Sequence, residues 1–142
     1  MMVERERSPF VQDLLSNLER KRTHLAIFRM WCQEKQPPEC DAVLKEVIGK
    51  TQQLVDILVN ALKKEGEPVP DTLPNPDMIA EARKQPNSEA RMNYAERLLR
   101  RSLAWYEDRI AHSERPEERQ VWESVFEIEA NNWALVEDYL SP

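Results

Sequence analysis

The side chains able to do chemistry in this sequence are mainly carboxylates. Only two histidines, His24 and His112, and two cysteines, Cys32 and Cys40, accompany 26 Asp and Glu residues. Three glutamates, Glu19, Glu96 and Glu129, fall at comparable heights on long segments with helical apolar spacing. Glu96 and Glu129 are 33 residues apart, and the same step from Glu19 lands on Gln52. Asn132 follows Glu129 by three residues and so shares its helical face. Carboxylates and imidazoles converging from several helices form the donor set of a di-metal centre, because two dications repel each other across an apolar interior unless anionic oxygens surround them. This set is incomplete, since Gln52 and Asn132 offer carbonyl oxygens without charge. The expected geometry brings Glu96, Glu129 and Asn132 together, with Gln52 and Glu19 completing a hydrogen-bonded network. No cofactor is the expectation, and iron or manganese on these five residues is the alternative.

The remaining reactive groups make no catalytic set. His24 has no Glu at the three-residue offset of a metal motif and reads as a surface or boundary residue, while His112 falls where a positive ring caps a helix carboxyl end. Cys32 and Cys40 form no CxxC pair and flank Pro37-Pro38, so reduced thiols in a cytoplasmic protein are expected, a disulfide being the alternative. Trp31, Trp105, Trp122 and Trp133 read as packing residues, with an aromatic pocket beside Arg100 and Arg101 as the competing account.

The elements that must position these groups are helices. Glycine occurs only at Gly49 and Gly66, and no strict apolar-polar alternation is present. Ser8-Pro9 opens a helix running to about Gln36, with Val11, Leu14, Leu18, Leu25, Phe28 and Cys32 at three-four spacing. Lys21 intrudes where that seam calls for a hydrophobe, which predicts a polar layer in the first helix. A second helix starts at Pro38 or Glu39 and stops before Gly66, its short link making it an antiparallel neighbour of the first. Residues 66–87 hold five prolines and one short helical candidate at 76–84 capped by Asn75, a connection long enough to cross from one end of the domain to the other. A third long helix from Asn87 or Ser88 to His112 carries Tyr94, Leu98, Leu99, Trp105, Tyr106 and Ile110. A fourth begins at Pro116 with Val121, Val125, Ile128, Leu135 and Tyr139, Asn132 lying in the same seam. The expectation is a single all-α domain over residues 1–142, a four-helix bundle of two antiparallel hairpins joined by a long crossover.

That order, with Glu19, Glu96 and the stretch Glu129-Ala130-Asn131-Asn132, resembles the ferritin-like superfamily, especially its bacterioferritin and rubrerythrin branch, over residues 11–139. The resemblance implies a di-iron layer built from Glu, Glu-x-x-His, Glu and Glu-x-x-His. Glu19 matches the first-helix carboxylate, Glu96 the third-helix one and Glu129 the opening residue of the fourth-helix motif. Asn132 replaces its histidine, while Gln52 and Val55 replace both residues of the second-helix motif. The implied function is a non-catalytic structural or protein-interaction module, with a divergent metal-dependent oxidoreductase or iron-handling protein as the alternative.

Charge bounds the partners. The net charge of −6 argues against a nucleic-acid partner, and no apolar run is long enough to cross a bilayer. Residues 1–8 lead into no signal-like stretch, so a cytoplasmic location is expected. From Glu114 onward eight acidic residues face only Arg115 and Arg119, whereas the third long helix is arginine-rich. This asymmetry favours a homodimer or another protein partner.

Overall fold

The structure, a computed structural model, describes residues 6–141; residues 1–5 and 142, included in the expected domain, lie outside the described residues. The described chain is all-α: α1 (Pro9–Cys32), α2 (Pro38–Lys64), α3 (Pro76–Arg83), α4 (Ser88–Ala111) and α5 (Pro116–Leu140). Each boundary has a local cause. The Ser8 hydroxyl accepts from the Val11 amide at 3.2 Å, and Pro9 takes a position where its missing N–H costs nothing. Asn75 and Asn87 cap α3 and α4 in the same way. α1 ends at Cys32, short of the expected Gln36: the Gln33 and Glu34 amides turn back to the Met30 and Trp31 carbonyls, and the prolines at 37 and 38 bar residues 36 and 37 from resuming the helix. α2 ends in a Schellman motif: the Glu67 amide donates to the Leu62 carbonyl and the Gly66 amide to that of Lys63, both at 3.0 Å. Gly66 accordingly has φ of 72°, a region that disfavours any side chain.

The long helices pack α1 on α2, α2 on α5 and α4 on α5. Side-chain bonds join α1 to α4, with Asp13 meeting Arg109 at 3.0 Å, Asn17 meeting Tyr106 at 2.8 Å and Lys21 meeting Ser102 at 2.6 Å. Numbers rise along α1 as they fall along α4, so the two are antiparallel. The intervening chain climbs the outside of α1. Glu67 binds Arg7, Arg22 donates to the Pro70 carbonyl at 2.6 Å, the Asn75 amide donates to Thr23 at 3.0 Å, and the Trp31 indole donates to the Ala82 carbonyl at 3.2 Å. Ala82 is fully buried, so α3 contributes to the core as well as connecting.

The apolar interior is divided in two. One cluster surrounds Leu14, Leu18, Leu58, Leu62, Tyr106 and Trp122; the other surrounds Ile27, Phe28, Trp31, Leu44, Met92 and Leu99. Between them lie buried polar side chains from all four long helices. On α5 the buried positions are Trp122, Val125, Glu129, Asn132 and Val136, a regular three-four seam. Of the expected stripe, Val125 and Asn132 are buried, whereas Val121, Ile128, Leu135 and Tyr139 give way to Trp122, Glu129 and Val136, one residue round the helix. The four displaced residues are half-buried flanks, and Glu129 lies in the interior.

Candidate functional site

The polar layer is built from Asn17, Lys21 and His24 on α1, Thr51 on α2, Ser102 and Tyr106 on α4, and Glu129 and Asn132 on α5. At its centre the Lys21 ammonium forms an ion pair with the Glu129 carboxylate, both residues having no solvent exposure. An ammonium has three N–H donors and no acceptor. The Lys21 ammonium has three partners: Glu129 Oε2, Ser102 Oγ at 2.6 Å and His24 Nδ1 at 3.4 Å. His24 must accept at Nδ1, which places its own proton on Nε2. Ser102 and Thr51 each donate to a carbonyl one turn earlier, leaving their oxygens free to accept. Asn132 Nδ2 donates to Glu129 Oε1 at 3.2 Å and to Thr51 Oγ1 at 3.3 Å. Asn132 Oδ1 is the one atom of this layer that is buried without a donor.

Burial sets the protonation behaviour of the layer. Removal from water lowers the pKa of Lys21, opposed by the attraction and hydrogen bond of Glu129. The His24 pKa is held well below its ordinary value, first by burial and then by the Lys21 charge, so a neutral ring faces the ammonium. The Tyr106 hydroxyl is pushed well above its usual range by burial and by Glu129, and remains a donor to Asn17. The Tyr106 ring lies 5.5 Å from Lys21 Nζ and stacks on Trp122, which meets Trp105 edge-on at 5.2 Å. Trp122 and Trp105 therefore wall the layer as packing residues.

Of the five residues expected to share a layer, the structure brings Glu129 and Asn132 together and leaves three elsewhere. Glu19 is exposed on the outer face of α1. Gln52 lies outside, bonded to Arg29 at 3.4 Å and Asp56 at 3.1 Å, while its neighbour Thr51 takes the inner position. One residue is about 100° of helical rotation, enough to exchange inside for outside. Glu96 is half-buried, ion-paired with Arg100 at 3.3 Å, and accepts from the Trp133 indole at 3.1 Å. It sits abreast of residue 133, not 129; the α4 residue that reaches the layer is Ser102, about 9 Å further along the helix axis. The expected approach of Glu96 to Glu129 is thus corrected by the register of α4 against α5.

His24 also departs from expectation: it is buried, with its Nδ1 facing Lys21. Exposed His112 caps α4, its Nδ1 within 2.8 Å of the Asp108 carbonyl oxygen. Both cysteines are free thiols, pushed above their usual range by burial. Thr51, Ser102, Tyr106 and Asn17 were missed by reasoning from carboxylates alone. Their signal was small or polar groups recurring on the inner stripes, the same signal that exposed Lys21.

The layer does not suit a di-metal centre. It offers one carboxylate, its imidazole acceptor is committed to Lys21, and a resident ammonium repels dications. Among the described residues no three His, Cys, Asp or Glu side chains converge as a metal-binding group. Comparison with family models, curated proteins and solved structures gives no match to this chain.

The ion pair is open to a double-mutant test. Lys21→Met and Glu129→Leu each strand an opposite charge in the core and should cost about 3–5 kcal/mol, whereas the double variant should cost less than either single one. Urea unfolding at neutral pH, on protein whose intact mass equals the sequence mass, measures the cycle; additive losses would show that the two groups are uncoupled. His24 yields a pH prediction. Its depressed folded pKa means that the unfolded chain takes up the proton first as pH falls below 6.5. Stability should therefore drop in that window by up to about 1.4 kcal/mol per pH unit, and His24→Gln should flatten the slope while retaining an acceptor for Lys21. Thermal melts from pH 7.5 to 5 compare the two proteins.

Proposed function

We propose that this chain is a non-catalytic, ferritin-like four-helix bundle, with two antiparallel hairpins joined by a long crossover, acting in the cytoplasm as a structural or protein-interaction module. The observation that carries the reading is the Lys21 ammonium bound to Glu129 within a layer drawn from all four long helices. A cation belonging to the chain itself compensates the buried carboxylate, where a metalloprotein of this architecture would use bound ions. The family reading draws support from the order of elements and from the path of the connection along α1. Among the described residues no helix is long and apolar enough to cross a membrane.

The partner we infer first is a second copy. Exposed Glu123, Glu127 and Asp138 on α5, and exposed Arg97 and Arg101 on α4, have no ion-pair partner among the described residues, so two copies can match these faces.

Elemental analysis of protein purified without chelator, followed by calorimetric titration with Fe(II) and Mn(II), should find no near-stoichiometric binding. Near-stoichiometric iron or manganese would instead support the divergent oxidoreductase or iron-handling alternative. Light scattering at low salt should give a dimer mass that declines as sodium chloride screens the contact; a monomer at every concentration and salt level would reject self-association.

A further inference from the structure

We propose that the Lys21–Glu129 pair is the reactant state of an intramolecular amide bond, formed by the protein on itself between Lys21 Nζ and Glu129 Cδ. The juxtaposition supplies each group such a reaction needs. The nucleophile and the electrophilic carboxyl group are in direct contact and sealed from solvent. Ser102 Oγ, 2.6 Å from Nζ, holds the nitrogen in place. His24 Nδ1, 3.4 Å from Nζ, is a neutral acceptor aimed at the atom that must lose a proton. Asn132 Nδ2, 3.2 Å from Glu129 Oε1, is a donor placed where negative charge would collect.

The step balances without any outside reagent. A proton passes from the Lys21 ammonium to Glu129 Oε2, leaving an amine beside the carboxyl group, a loss that burial eases on the lysine side. The Nζ lone pair attacks Cδ, the Nζ–Cδ bond forms, and charge gathers on Oε1 beside Asn132. His24 takes one proton from Nζ and delivers it to Oε2, the Cδ–Oε2 bond breaks, and one water leaves. Two reacting groups held in contact gain the large effective concentration of intramolecular chemistry, and exclusion of water opposes the reverse hydrolysis. The bond would join α1 to α5 across 108 residues of sequence and so tie the two ends of the fold together covalently.

The test is the intact mass of the full-length protein under denaturing conditions, after expression and again after prolonged incubation at neutral pH. The expected result is a mass lower than the sequence mass by one water, with a protease-resistant peptide pair linking residues 21 and 129 in tandem mass spectra. Lys21→Arg should restore the full mass, and His24→Gln should slow the loss at least tenfold in freshly made protein. Should Lys21→Arg fail to fold, the wild-type peptide pair decides by itself. A wild-type mass equal to the sequence mass after incubation overturns the proposal. Loss of one ammonia, with the link on Asn132, overturns the assignment to Glu129.

Discussion

The ion pair of Lys21 and Glu129 is the constraint on which the interior depends. Two charges withdrawn from water carry a large desolvation penalty, which their mutual attraction offsets only when their remaining hydrogen-bonding capacity is also met. Here that capacity is met from different helices. Ser102 on α4 and His24 on α1 complete the ammonium, and Asn132 on α5, itself held by Thr51 on α2, completes the carboxylate. Sliding α1, α4 or α5 by one turn would move its contribution by about 5.4 Å and leave a buried charge short of a partner, and sliding α2 would take Thr51 from Asn132. The layer therefore acts as a register mark on helices whose apolar packing alone would tolerate sliding.

The division of the core follows from the same layer. Apolar residues toward the α1 amino end gather around Trp122 and Tyr106, and those toward its carboxyl end around Trp31 and Phe28. The aromatic residues nearest the layer have mixed roles. Tyr106 presents its ring to Lys21 and its hydroxyl to Asn17, so it closes the apolar cluster while satisfying a buried amide oxygen. Asn132 Oδ1 is the exception to this satisfaction, a carbonyl oxygen left without a donor beside an otherwise paired network. Its Nδ2 is needed by both Glu129 and Thr51, so the amide cannot turn without losing those two bonds.

The helices and most of their ends, the carboxyl end of α1 excepted, were readable in the sequence because their causes are local. Ser8-Pro9, Asn75-Pro76, Asn87 and Gly66 act through atoms within a few residues, and all four mark boundaries seen in the fold. Lys21 was also readable as a polar intruder, because its three-four spacing from Leu18 and Leu25 places it on the buried stripe whatever packs against it. The identity of its partner was not readable. Glu96 and Glu129 looked paired on a count of 33 residues, but the count assumed where α4 and α5 cross.

What the sequence determined by itself is thus the helical class, the element order and a charge on the inner face of α1, all consequences of propensity, capping and periodicity. Tertiary structure decided which carboxylate answers that charge. Packing keeps Glu129 in the inner seam with Val125 and Asn132 while Ile128 flanks it, and turns Thr51 inward in place of Gln52. The relative height of α4 and α5 leaves Glu96 against Trp133 and brings Ser102 to Lys21. Rotation and height are properties of packed pairs of helices, set by side chains far apart in the chain, and no spacing within one helix encodes them.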